Sequence, residues 1–96
     1  MATAHIIGAG VAGLAAAVEL STAQFRVIVH EQSGQAGGRC RSFHDNTLDC
    51  IIDNGNHLLL SGNKSALSYL ETIGASDELI GPEHAEFPFV DLKSGE

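Results

Sequence analysis

Three glycines, Gly8, Gly10 and Gly13, stand in the spacing G-x-G-x-x-G directly after the apolar run His5-Ile6-Ile7. The run predicts a short buried strand. From Val11 the apolar residues recur as Val11, Leu14, Ala15 and Val18, a helical spacing that predicts a helix over about Val11 to Ala23. Arg26-Val27-Ile28-Val29-His30 then predicts a second strand, ending at Glu31. Strand, glycine turn, helix and strand form the first half of a βαβ unit, whose connection makes the two strands parallel. The glycine spacing alone is a weak signal, because glycine-rich runs arise by composition. In this context each part has a task. Gly8 permits a tight turn, Gly10 lets a pyrophosphate approach the backbone, and Gly13 lets the helix pack close to the strands. Val11 and Ala12 open the helix, where unpaired N–H groups and a partial positive charge face the phosphates. Glu31 follows Gly8 by 23 residues and can accept hydrogen bonds from ribose hydroxyls, while it repels the additional phosphate of NADP. The alternative is a strand–helix turn that holds no ligand. To this point NAD and FAD suit the residues equally.

The following segment separates them. Gly37-Gly38-Arg39 lies six residues past Glu31, and Ser42 completes E-x5-G-G-R-x-x-S. Two glycines let a loop lie flat against a dinucleotide, and the arginine supplies planar donors for phosphate or ribose oxygens. The stretch His5 to Ser42 resembles the FAD-binding region of the amine oxidase and phytoene desaturase superfamily. The resemblance implies that Glu31 and Gln32, then Gly37, Gly38 and Arg39, contact the cofactor FAD. One departure is visible. The superfamily usually has a glycine between the first helix and the second strand, where this chain has Ala23-Gln24-Phe25. That departure bears on the end of the helix and not on the phosphate site.

Asp53-Asn54-Gly55-Asn56-His57-Leu58-Leu59-Leu60 narrows the resemblance. Superfamily members carry an Asp-x-Gly turn here that passes the flavin ring, which implies that Gly55, Asn56, His57 and Leu58 border the cofactor. The form D-N-G-x-H-L-L-L, with the later F-x-F-x-D-x-x-S-G-E from Phe87 to Glu96, is similar to the hydroxysqualene dehydroxylase family. The family is also called the squalene-associated FAD-dependent desaturases. What this implies is an α/β Rossmann-like FAD/NAD(P)-binding domain, its N-terminal βαβ part incomplete, followed by the start of a substrate-domain segment. Residues 1–96 would be the N-terminal portion of one FAD-binding domain, and about 84–96 the start of a substrate-domain hairpin. The implied enzyme is a flavoprotein oxidoreductase of hopanoid or carotenoid precursor metabolism that reductively converts hydroxysqualene to squalene. The flavin carries the hydride chemistry. A carotenoid desaturase or amine oxidase of the same superfamily is the alternative within the class. A truncated, non-catalytic dinucleotide-binding module is the alternative outside it, and the 96-residue chain by itself is expected to be inactive. No catalytic residue is evident. His57 is the one candidate, as a proton donor to a leaving hydroxyl, against the simpler role of fixing the turn or bonding the cofactor. His5, His30, His44 and His84 have no ligand spacing, and no metal site is expected.

The rest of the chain reads as follows. Residues 33–39 form a loop. Cys40 to His44 and Leu48 to Ile52 are extended around a turn at Asp45-Asn46, and Asp53 to Asn56 is a second turn. Ala66, Leu67, Leu70 and Ile73 have helical spacing with Gly74 as the cap, and Ser76-Asp77 starts a short helical turn. Phe87 to Leu92 predicts a strand. That strand and its Ser-Gly turn invite a partner, and a parallel sheet needs more strands and covering helices, so an N-terminal piece of a larger protein is expected. Residues 1–48 are charge-balanced, whereas 49–96 hold Lys64 and Lys93 against nine acids and carry the whole net charge of −7. That balance disfavours nucleic acid and gives no polybasic hold on a membrane, although a squalene-like substrate makes peripheral membrane contact an expectation. Cys40 and Cys50 are expected as free thiols in the cytoplasm. The run Ile6 to Leu20 lacks the basic flank of a secretory signal.

Overall fold

The computed structural model describes residues 1–55 and 58–95. In order they form strand β1 (Thr3–Ile7), helix α1 (Val11–Thr22), and strands β2 (Arg26–His30), β3 (Ser42–Asp45) and β4 (Cys50–Asp53). Helix α2 (Lys64–Thr72) and a single 3-10 turn (Ser76–Glu78) follow. The chain divides into two compact units, Met1–Leu58 and Leu59–Glu96.

In the first unit β1 and β2 pair in parallel with Thr3 opposite Arg26 and Ile7 opposite His30, and α1 connects them. This is the α/β arrangement expected from the apolar periodicity. Ala4, Ile6, Val27, Ile28 and Val29 are half-buried, as are Leu14, Ala15, Ala17 and Val18 of α1. Val11, expected on the covered stripe, is exposed at 47% because it sits at the open start of the helix. The opposite sheet face carries His5 and His30. His5 Nδ1 lies 3.0 Å from His30 Nε2. The ring centroids, 5.3 Å apart, are separated by that distance plus two ring radii, so the imidazoles meet end to end and bridge the strands.

In the Ala23-Gln24-Phe25 connection, where the resemblance leads one to expect a glycine, Gln24 takes the left-handed conformation with φ 67°. The Gln24 N–H donates to Ser21 O at 3.1 Å and Phe25 N–H to Leu20 O at 3.0 Å, which is a complete Schellman ending. The helix therefore ends as it would with glycine, on a residue that adopts φ > 0 at a cost.

Strands β3 and β4 form an antiparallel hairpin with Ser42 opposite Asp53 and Asp45 opposite Cys50. Its turn is 46–49, later than the expected Asp45-Asn46. Asp45 Oδ1 accepts from the N–H groups of Thr47 and Leu48, and Asp49 takes φ 52°, so a four-residue loop replaces a tight turn. Cys40 precedes the hairpin, Cys50 pairs with Asp45 at its turn end, and both thiols are free.

In the second unit α2 ends on Gly74, φ 75°, and the 3-10 turn stands where Ser76-Asp77 predicts it. A shallow groove between the two is lined by Leu67, Leu70 and Leu79. The strand predicted over Phe87 to Leu92 is absent. No ladder partner reaches it among the described residues, and Asp91 closes a turn by accepting from Lys93 N–H and Gly95 N–H. Among the described residues no helix is long and apolar enough to cross a membrane.

Candidate functional site

The geometry gathers around the turn from β1 into α1. Gly8 has φ 99°, a conformation open to glycine, and its N–H donates to His30 O at 2.7 Å, tying the turn to the end of β2. A Cβ on Gly13 would stand 2.0 Å from Gly8 O and 3.4 Å from the Ile6 side chain, so only glycine lets α1 approach β1 this closely. Gly10 is different. Its φ of −74° and ψ of −176° suit any residue, and a Cβ there would meet nothing within 4 Å. Neither the backbone nor the packing of this chain demands glycine at that position.

Gly10 is the N-cap of α1. The first bond back along the helix is Leu14 N–H to Gly10 O at 2.9 Å. The N–H groups of Val11, Ala12 and Gly13 precede it. No side chain caps them and the first turn holds no acid, so they face an uncontested anion position at the positive end of the helix dipole. The donor set fits a phosphate or pyrophosphate.

Glu31, at the end of β2, reaches across this turn. Ala9 N–H donates to its Oε1 at 3.0 Å and Ser33 N–H to its Oε2 at 2.9 Å. These bonds, the Ser33 one first and then that from Ala9, hold the carboxyl below its ordinary pKa. Each oxygen keeps a lone pair for a further donor such as a ribose hydroxyl. Gln32 is exposed beside it.

The second glycine pair is docked on the first. Gly37 N–H donates to Ala9 O at 2.7 Å, and a Cβ on Gly38 would lie 3.2 Å from Gly10 Cα. Ala9 is 4% exposed and is the one buried apolar residue among those described. Its peptide groups thus join the first turn, the acid and the second loop. Sequence reasoning passed over Ala9 because its role lies in backbone atoms alone. Arg39 follows on this loop, exposed, with no acid partner among the described residues.

The hairpin joins the same loop. Asn54 N–H donates to Arg41 O at 2.8 Å, Asn54 Nδ2 donates to Arg39 O at 3.2 Å, and Ser42 Oγ donates to Asp53 Oδ1 at 2.6 Å. Gly55 follows with φ 93°, and Leu58 is 80% exposed. Asn56 and His57, the latter the candidate proton donor, lie outside the described residues. Among the described residues no cluster of three or more His, Cys, Asp or Glu could hold a metal.

Fold and site together give a parallel strand–helix–strand segment with a second glycine loop laid against the first. A family profile described as "Flavin containing amine oxidoreductase" matches residues 11–96, and the chain belongs to that family, whose cofactor is a flavin. The chain is also similar to curated hydroxysqualene dehydroxylases. It is 59% identical over 90 residues to that of Rhodopseudomonas palustris and 56% identical over 90 residues to that of Sinorhizobium fredii, each covering 94% of this chain and 22% of the relative. It is 54% identical over 96 residues to that of Zymomonas mobilis, covering all of this chain and 23% of the relative. The chain thus spans less than a quarter of the length of these relatives.

Proposed function

We propose that this chain is the adenosine- and pyrophosphate-binding part of an FAD-dependent oxidoreductase that reductively removes the hydroxyl of hydroxysqualene to give squalene. The observation that carries the cofactor half is Gly10. It lies at an uncapped helix start between two joined glycine loops, and nothing in the chain itself requires glycine there. The substrate half is supported by the hydroxysqualene dehydroxylases to which almost the whole chain is similar. In this reading the N–H groups of Val11, Ala12 and Gly13 hold the pyrophosphate. Glu31 and Gln32 face the ribose, Gly37, Gly38 and Arg39 cover the phosphates, and Gly55 to Leu58 border the ring. FAD, when bound and reduced by an external two-electron donor, would supply a hydride to the carbon as the C–O bond breaks, and the hydroxyl would take a proton and leave as water. The fold is then an incomplete Rossmann-like FAD-binding domain, and residues 84–96 begin the substrate-domain segment. A cytoplasmic enzyme in peripheral contact with the membrane that dissolves its apolar substrate completes the reading.

The test uses the full-length protein. It is expected to purify with, or take up, FAD and not NAD, and with a reductant to convert hydroxysqualene to squalene, followed by gas chromatography and mass spectrometry. Uptake of NAD in preference to FAD would overturn the cofactor half. A flavin-loaded protein that leaves hydroxysqualene untouched would overturn the substrate half.

A further inference from the structure

We propose that Asn54 is a positioning residue for Arg39, which makes the hairpin and the second glycine loop one hydrogen-bonded part of the cofactor site. The inference rests on the reading of Arg39 as a cofactor contact. Arg39 stands one residue past Gly38, the residue packed on Gly10 at the phosphate cradle. Its guanidinium has no acid partner to orient it among the described residues, so its direction depends on the backbone that carries it. Two contacts fix that backbone. On one side the Gly37 N–H is tied to Ala9 O, and Cys40 N–H closes back to Gly37 O at 3.0 Å. On the other side stands Asn54, which is half-buried. Its amide Nδ2 donates to the Arg39 carbonyl and its backbone N–H to the Arg41 carbonyl, so a single residue grips the chain on both sides of Cys40. The Ser42–Asp53 bond fixes the next rung, and Gly55 N–H turns back to Asp53 O at 2.8 Å immediately before the segment assigned to the ring. Asparagine suits this place because its short amide offers a donor to a carbonyl while its own backbone continues the ladder. An aspartate there would set a carboxylate against a carbonyl oxygen.

A double-mutant cycle in the full-length protein tests this, read by FAD affinity and by the near-ultraviolet circular dichroism of the bound flavin. Asn54→Ala is expected to weaken FAD about five- to tenfold, the loss of one hydrogen bond, and to change the flavin dichroism. In an Arg39→Ala background the same substitution is expected to change neither, because no guanidinium remains to be aimed. Equal weakening in both backgrounds would overturn the inference and leave Asn54 as a structural residue only. No weakening in the parent background would overturn it as well. If Arg39→Ala itself leaves FAD affinity unchanged, the assignment of Arg39 fails and the inference with it. Asn54→Ser, which keeps the backbone bond to Arg41 but is too short to reach the Arg39 carbonyl, gives the same reading if the alanine variant does not fold.

Discussion

Helices α1 and α2 end alike and begin differently. Each closes in a Schellman turn, with Phe25 N–H bonded to Leu20 O in one and Ala75 N–H to Leu70 O in the other. At their starts, α1 has Gly10, Val11, Ala12 and Gly13 where α2 has Asn63, Lys64, Ser65 and Ala66. Neither N-cap side chain bonds the first turn, but Asn63 uses its Oδ1 to accept from Leu60 N–H and fold the preceding chain. The start of α2 is shaped by its own local bonds. The start of α1 has glycine at its N-cap and no side-chain cap. A helix end obeys backbone geometry wherever it occurs, whereas the open start of α1 is what the proposed cofactor site would use.

The largest effect is expected at the third helical position, Gly13 in α1 and Ala66 in α2. Gly13→Ala drives a Cβ into the Gly8 carbonyl and is expected to cost roughly 3 kcal/mol, a fall of more than about 10 °C in Tm by calorimetry. Ala66→Gly only loses helix propensity, at about 1 kcal/mol. Similar costs for the two would end the comparison. Next comes Gly10→Ala, expected to leave Tm within about 1 °C while weakening FAD about tenfold or more, followed by titration of flavin fluorescence. A large fall in Tm would instead make Gly10 a folding requirement.

How much of this was legible in the sequence depends on whether side chains or backbone carry the information. β1, α1 and β2 follow from apolar spacing and stand within two residues of expectation. The glycines and Glu31 announce themselves by spacing. The hairpin was displaced because the Asp45 side chain caps two N–H groups beyond it. Phe87 to Leu92 has the composition of a strand, but a strand exists only through a partner ladder. The His5–His30 bridge joins residues 25 apart and needs the parallel register to be seen. Ala9 acts through backbone groups, which no residue type reveals, and the Asn54 amide is aimed at a carbonyl 15 residues away, which only the fold brings within reach.

The two helix ends give a smaller and reciprocal effect. Gln24 and Gly74 occupy the same left-handed position, at φ 67° and 75°. Gln24→Gly is expected to stabilise by about 1 kcal/mol, and Gly74→Gln to destabilise by a similar amount, measured by denaturant midpoint at constant slope. A Gln24→Gly variant that loses stability would mean that its side chain makes a compensating contact.

The smallest effect concerns charge at the start of α1. Glu31 binds Ala9 N–H and Ser33 N–H as a carboxylate, and its pKa is therefore lower folded than unfolded. A depressed carboxylate adds stability that is fully present above the ordinary value of 4.5 and is lost as pH falls through the folded value. Because Glu31 is partly exposed, the loss is modest in Tm and clearer in FAD affinity, since protonation releases the Ala9 peptide that holds the second loop. Titrations of flavin from neutral pH downward are therefore expected to stay flat through 4.5 and to weaken only further down, as pH falls through the lowered folded value. Glu31→Gln should bind more weakly at neutral pH, because a neutral amide accepts with only one of its two ends, and should lose most of the acid dependence. An unchanged acid limb in Glu31→Gln would assign the titration to another carboxylate and leave Glu31 without a part in joining the two loops.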